Sequence, residues 1–316
     1  MIPVRIASRS VAAQDVVRLE LEPLDGAPLP PFTAGSHIDV ILSNGLTRQY
    51  SLSSPPGYGD RYRIAVLREP KSRGGSQFVH DALVEGMTIN ISPPRNLFHL
   101  HEEAETYVLL AGGIGVTPLL AMAYRLTALG KPFVLHYCAR APSRAAFLDE
   151  LKTAPFADHV HLHFDDDPDK RLDLDQALCE PSPDRRLYVC GPNGFMGFVV
   201  QGAGARGWSP EHIHQEHFAG AAIVEGQDRA FDLVIASTGQ TLTVRPDQTA
   251  AQVLEAAGVF VPLSCEQGVC GTCLTGVLTG QPDHRDLFQT EEEKASNLMF
   301  TPCCSRARTS SLTLDL

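Results

Sequence analysis

At 316 residues, with 43% hydrophobic and 20% charged side chains, the chain has room for two or three domains with cores of their own, and its composition excludes a disordered or fibrous polymer. A formal net charge of -11 argues against nucleic acid, whose binding draws on clustered Lys and Arg, and favours a basic protein surface as partner. MIPVRIASRS at the start lacks the apolar stretch of a secretion signal. The longest apolar run, Tyr107 to Ala123, is broken by glycines and a proline and is short for a membrane span of about 20 residues. The expectation is a cytoplasmic chain with no membrane attachment. Its eight cysteines then read as thiols or metal ligands rather than disulfides, and five of them crowd into the stretch from Cys265 onward.

In chain order, residues 1–102 alternate short runs rich in Val, Ile and Tyr with Gly and Pro turns (HIDVIL, RQYSLS, YRIAVL, MTINIS), which predicts an antiparallel sheet or barrel. RQYS, Arg48 to Ser51, groups a cation, a ring and a hydroxyl on a strand. A plain strand would look the same. Arg73-Gly-Gly-Ser76 leads into a helix predicted from Ser76 to about Val84. Ser76 is expected as its N-cap, and the amides of Gly74, Gly75 and Ser76 are expected to face outward, a ready site for a phosphate.

Residues 103–226 change to apolar strands alternating with amphipathic helices (TYVLLAGG, PLLAMAYRLTALG, PFVLHYC, AAFLDELK, VHLHF, RLYVCG), which implies βαβ units and a parallel sheet. LLAGGIGVTPLLAMA places Gly113 and Gly115 between a strand and a helix, with Thr117 as expected N-cap and Pro118 at the first helical position. It is a relative of the dinucleotide fingerprint, with Pro118 in place of the third glycine. A tight strand-to-helix turn without ligand would use glycines in the same way. YVCGPNGFM ends a strand on Cys190, before Gly191 and Pro192, and an inert buried cysteine is the plain alternative. HYCAR has no acidic residue for a ribose hydroxyl. Arg140 and Arg144 could instead accept a phosphate, while Asp165, Asp166 and Asp167 would repel one. The histidines of HLHEE and VHLHF form no complete ligand set and read as strand or turn residues.

Ala219 to Arg229 reads as a linker, and residues 227–316 (FDLVIA, GQTLTVRP, the helix TAAQVLEAAG, a cysteine loop and a closing LTLDL) as a small α+β module. SCEQGVCGTC has the spacing C-x4-C-x2-C, and Cys303 follows after 29 residues, the plant-type 2Fe-2S arrangement. Cys265, Cys270 and Cys273 would be ligands, with Gly268 and Gly271 where the loop must turn tightly. A structural zinc site would instead show two short pairs. Spacing alone leaves the fourth ligand open between Cys303 and Cys304.

SCEQGVCGTC, GQPDHRD, CCSRA and the terminal LDL together resemble the ferredoxin domain of the phthalate dioxygenase reductase and vanillate O-demethylase reductase family. RQYSL, YRIAVLRE, RGGS and PPRNLF resemble its flavin domain. The resemblance implies an antiparallel flavin-binding β-barrel (1–102), a parallel α/β nicotinamide domain (103–226) and a β-grasp ferredoxin domain (227–316), and it selects Cys303 as the last ligand. It implies FMN, with FAD as the alternative, contacted by Arg48, Gln49, Tyr50, Ser51, Ala65 and Leu67, with its phosphate on Gly74, Gly75 and Ser76. Gly113, Gly115, Thr117, Gly191 and Pro192 would bind the dinucleotide, NADH by family preference. Cys190, at a position similar to the thiol that ferredoxin-NADP reductase-like proteins place beside the nicotinamide, would act with Ser51, and Phe218 would cover the flavin ring. The implied function is electron transfer from NADH through FMN and the cluster to the terminal oxygenase of a Rieske non-haem iron system in aromatic compound catabolism, the reductase being a monomer that docks transiently. A stand-alone diaphorase or flavin reductase, or a redox-sensing regulator, are the rivals. The intact hydride site and the absence of a basic DNA-binding helix speak against the regulator.

Overall fold

The computed structural model describes residues 1–24, 26–57, 60–70, 72–220 and 228–316, and its contacts divide the chain into two units, Met1–Glu216 and His217–Leu316. The expected boundary at 226/227 and the core of the expected linker fall outside the described residues.

The first half of unit 1 is an antiparallel sheet of β1 (Ile2–Ala13), β2 (Val16–Pro23), β3 (Ser36–Ile41), β4 (Thr47–Ser51), β5 (Tyr62–Leu67), β6 (Thr88–Ile91) and the short β7 (Arg95–Asn96), with helix α1 (Gly75–Ala82) between β5 and β6. The order is β4-β3-β6-β1-β2-β5, with β7 beside β3. Alternation along the strands sends Val4, Ile6, Leu19, Leu21, Ile38, Val40, Ile64 and Val66 into one core. The antiparallel pairing of β3 with β4 sets His37 opposite Ser51 and Asp39 opposite Gln49, and puts Arg48 and Tyr50 on the other face.

The second half is parallel throughout: β8 (Thr106–Gly112), α2 (Val116–Ala128), β9 (Phe133–Ala139), α3 (Leu148–Thr153), β10 (Val160–Phe164), α4 (Leu174–Ala177), β11 (Arg185–Cys190), α5 (Asn193–Ala205) and β12 (Ile213–Glu216), in the order β10-β9-β8-β11-β12. Such a sheet is buried on both faces, which is why its strands read as nearly continuous apolar runs. Leu109, Ala111, Leu135 and Tyr137 pack with α2, and Val108, Leu110, Leu187 and Val189 pack with α5 and Trp208.

The two halves of this unit are bolted together. Arg63 of β5 makes two 2.9 Å hydrogen bonds to the Glu150 carboxylate, which also accepts from the Tyr124 hydroxyl at 2.7 Å. The pair is partly buried, its side chains 13% and 20% exposed, so solvent screens part of its attraction. The connecting segment is held too: the Tyr188 hydroxyl accepts from the His101 amide at 2.8 Å, and the Tyr107 hydroxyl donates to the His101 carbonyl at 2.8 Å.

Unit 2 holds a mixed sheet of β13 (Phe231–Ile235), β14 (Thr241–Val244), β15 (Thr275–Thr279), β17 (Met299–Phe300) and β19 (Ser311–Leu314), ordered β14-β13-β19-β15-β17 with β13 parallel to β19. A second ribbon pairs β16 (Pro282–Asp283) with β18 (Arg306–Ala307). Helix α6 (Ala250–Ala256) lays Leu254 onto Phe231, Leu233, Leu312 and Leu314, the β-grasp arrangement. Capping boxes start α6 (Thr249 with Gln252) and α7 (Glu291–Ser296; Thr290 with Glu293). Among the described residues no helix is long and apolar enough to cross a membrane.

Candidate functional site

The cysteine loop between α6 and β15 carries no regular structure, because its backbone serves sulfur instead of a ladder. Cys265, Cys270, Cys273 and Cys303 are 6%, 9%, 3% and 6% exposed. Their thiols meet in two pairs, Cys265 with Cys270 and Cys273 with Cys303. The Gln267 amide donates to Cys265 Sγ at 3.3 Å and the Thr272 amide to Cys270 Sγ at 3.5 Å. Amides aimed at sulfur favour the thiolate, the form that ligates metal. Gly268 and Gly271 have φ of 73° and 67°; a Cβ at Gly268 would sit 2.4 Å from Cys304 Sγ, and one at Gly271 2.5 Å from the Phe288 ring. Four buried sulfurs, backed by amides, are the donor set that a 2Fe-2S cluster would take. Cys304 lies beside Cys303, with its sulfur 3.5 Å from the Thr301 hydroxyl.

In unit 1, Arg48 reaches along its strand toward the start of α1: its Nη2 donates to the Arg73 carbonyl at 3.2 Å, and a Cβ on Gly75 would come within 2.6 Å of its side chain. A cation and a helix start therefore converge where a phosphate could sit. The cap differs from expectation. The helix starts one residue earlier, at Gly75, and its N-cap is Gly74 at φ 89° with no side-chain cap. The Ser76 hydroxyl instead accepts from the Glu69 amide at 3.1 Å and bonds Ser72 Oγ at 3.0 Å, closing the preceding loop. Glycine wins the cap because the turn needs a left-handed residue. Gln49 points to the opposite face from Arg48, donating to Asp39 Oδ1 at 3.1 Å, and Arg95 holds the same carboxylate at 2.7 Å. Tyr50 packs on the barrel core, while Ala65 and Leu67 join the apolar cluster shared with the α/β half.

At the carboxyl ends of the parallel strands, Cys190 stands in register with Ala111 and Glu216. Ser51 Oγ, ending β4, donates to Glu216 Oε2 at 3.1 Å. Burial raises the Glu216 carboxyl to about 8, the Ser51 hydrogen bond opposing it. Burial, with the Glu216 carboxyl nearby, pushes the fully buried Cys190 thiol well above its ordinary range, so it is a neutral thiol. Glycines let the two loops meet: a Cβ on Gly115 would be 2.2 Å from the Cys190 carbonyl, and one on Gly191 2.9 Å from Gly112 Cα.

Residues 233–308 match the 2Fe-2S iron-sulfur cluster binding domain family. The whole chain is 53% identical over 317 residues to a vanillate O-demethylase oxidoreductase of Pseudomonas sp., covering 100% of each. The chain belongs to that oxidoreductase family. It is also 42% identical to a phenoxybenzoate dioxygenase subunit beta of Ectopseudomonas oleovorans, over 100% of this chain and 98% of that one. Its fold matches phthalate dioxygenase reductase, described as a modular structure for electron transfer from pyridine nucleotides to 2Fe-2S, with a TM-score of 0.80 and 37% identity over 100% of this chain and 98% of that one. As a member of the vanillate O-demethylase oxidoreductase family, the chain is an oxidoreductase that joins a flavin-reductase fold to a 2Fe-2S domain.

In this family member Thr117 is not the cap of α2. The helix begins at Val116 after a tight turn over Gly113–Gly115, so Pro118 is its third residue, and Thr117 Oγ1 donates back to the Ile114 carbonyl at 3.0 Å. Pro192 caps α5 in extended conformation and is exposed. Phe218 belongs to unit 2 and is 37% exposed. Glu216 is the residue the sequence reading left out. A lone acid closing the last strand of a parallel sheet, just before HFAG, was the available signal.

Glu216 gives a pH test. Its folded-state carboxyl keeps the proton up to about 8, while an unfolded one releases it near the ordinary carboxylate value of 4.5. Between those values the unfolded state binds fewer protons, so stability falls as pH rises. Glu216→Gln is expected to flatten the dependence of the unfolding midpoint between pH 5 and 8; parallel wild-type and variant curves would contradict the assignment.

Proposed function

We propose that this chain is the reductase component of a Rieske-type oxygenase system, a cytoplasmic monomer that takes electrons from NADH through FMN to its 2Fe-2S cluster and delivers them by transient docking to the terminal oxygenase. The observation that carries the reading is the union in one chain of the four-cysteine loop with the Ser51–Glu216–Cys190 corner. NADH yields a hydride, flavin takes two electrons and releases one at a time, and a 2Fe-2S cluster carries one.

Cys265, Cys270, Cys273 and Cys303 would hold the cluster. Arg48 and the amides of Gly74, Gly75 and Ser76 would hold the flavin phosphate, with Tyr50 and Ser51 beside the ring system. Ser51 donates to Glu216, and the raised Glu216 carboxyl holds a proton at this corner. The neutral Cys190 thiol would lie beside the nicotinamide, and Gly113, Gly115 and Gly191 would permit the close backbone approach. By the family resemblance alone, Phe218 would be the aromatic that covers the flavin.

NADH is favoured over NADPH by the surroundings of Arg140 and Arg144. Arg144 is paired with Asp15 at 3.2 Å, and the Asp166 amide donates to the Arg140 carbonyl at 3.1 Å, which sets the acidic loop alongside. Catalytic efficiency with NADH is expected to exceed that with NADPH by at least about tenfold, roughly 1.4 kcal/mol of transition-state stabilisation. Acid release followed by mass determination should return FMN. Equal efficiencies, or FAD as the main species, would overturn the respective assignment.

A further inference from the structure

Behind the cysteine loop lies a carboxylate that the electron path above does not use. Asp286 is 2% exposed. Its Oδ2 accepts from the Gln289 amide at 2.8 Å, and its Oδ1 accepts from Gln289 Nε2 at 3.1 Å and from the Thr301 hydroxyl at 3.2 Å. Three hydrogen-bond donors thus surround this carboxylate, whose oxygens can only accept. Buried Asp usually faces Arg or Lys. Here the adjacent arginines are engaged elsewhere: Arg285 holds Asp228 at 2.6 Å and Asp283 at 2.9 Å, and Arg306 donates to the carbonyls of Gln248, Arg229 and Arg245. Among the described residues no Lys or Arg forms an ion pair with Asp286, and the nearest basic group recorded is His284, 3.9 Å away.

The position of this charge is fixed against the loop. The Leu287 amide donates to the Gly268 carbonyl at 2.9 Å. A Cβ on Gly268 would lie 2.9 Å from Asp286 Cα, so the two backbones touch between Cys265 and Cys270. Thr301, which holds Asp286, also hydrogen-bonds Ser305 Oγ at 2.6 Å, on the turn that carries Cys303 and Cys304.

We propose that Asp286 is a positioning residue for electron exit, its fixed negative charge lowering the reduction potential of the 2Fe-2S cluster so that the cluster is a stronger donor to the partner. This rests on the reading of the four cysteines as cluster ligands. Adding an electron beside a fixed negative charge in a water-poor interior is unfavourable, so the reduced state is raised in energy. The hydrogen bonds fix the carboxylate in place and screen its charge only in part. One electron enters from the flavin and one leaves to the partner, and no bond or proton at Asp286 changes.

The test is a redox titration of the full chain with its cofactors bound, followed by bleaching of the visible cluster bands and by the paramagnetic signal of the reduced form. Asp286→Asn is expected to favour reduction by at least about tenfold, an upward shift of about 59 mV for a one-electron couple. Asp286→Glu, which keeps the charge, and Glu292→Gln, an exposed acid on α7, should stay close to wild type. An Asn variant with full iron and an unchanged potential overturns the proposal, as does a Glu variant that shifts as far as Asn. If the Asn variant assembles no cluster, Thr301→Val decides: it takes one donor off the carboxylate and should lower the potential, and an unchanged or raised value overturns the proposal. Absence of cluster bands in the unaltered chain would instead refute the cluster reading itself.

Discussion

Cys303→Ser is expected to strip most of the iron and bleach the visible iron-sulfur bands, while Cys304→Ser keeps both. Cys303 and Cys273 form one of the two thiol pairs of the loop, and Cys303 is nearly buried. Serine replaces a soft thiolate with a hard, largely protonated hydroxyl, a poor ligand for this cluster type. Cys304 touches the Cys303 thiol too, but its other neighbours are hydroxyls, Thr301 at 3.5 Å and Ser305 at 3.8 Å, with its sulfur against Gly268. Iron content and the visible spectrum of the two purified variants check this. The reverse pattern would move the fourth ligand to Cys304.

Cutting the chain after residue 226, in the stretch outside the described residues, is expected to separate two activities. Residues 1–226 contain the whole of unit 1, with its own cores and the Arg63–Glu150 bolt. The fragment should bind flavin and reduce ferricyanide with NADH. Reduction of cytochrome c or of the oxygenase should fall by at least about tenfold, because the one-electron exit has gone. A fragment that supports oxygenase turnover as well as the full chain does would remove the ferredoxin unit from the path. A fragment without flavin would place the boundary wrongly, and flavin content, measured first, tells these failures apart.

The parts of this fold that were legible are those where covalent spacing or strand period carries the information. The C-x4-C-x2-C loop announces itself because three thiolates must reach one cluster from a short segment. The parallel sheet shows as TYVLLAGG and RLYVCG because both faces are buried. Local caps were less legible. Ser76 and Thr117 are good N-cap residues by type, yet left-handed Gly74 and the tight turn over Gly113–Gly115 start the helices, because the backbone has to bend sharply there. Strand alternation sends Arg48 and Tyr50 to one face and Gln49 and Ser51 to the other, a split that adjacency in sequence does not display. Glu216 lies 165 residues from Ser51 in sequence, so only the register of β11 with β12 and the docking of the two halves of unit 1 bring it to the corner.

The central claim is that one chain carries electrons from NADH through a two-electron flavin to a one-electron cluster. An anaerobic titration of the full chain with NADH, recording flavin and cluster bands together, tests it most directly. Complete reduction is expected to take up about three electrons per chain, two on the flavin and one on the cluster, with the paramagnetic signal of the reduced cluster appearing during the titration. Uptake that stops at about two electrons, with the cluster bands unbleached, would contradict it.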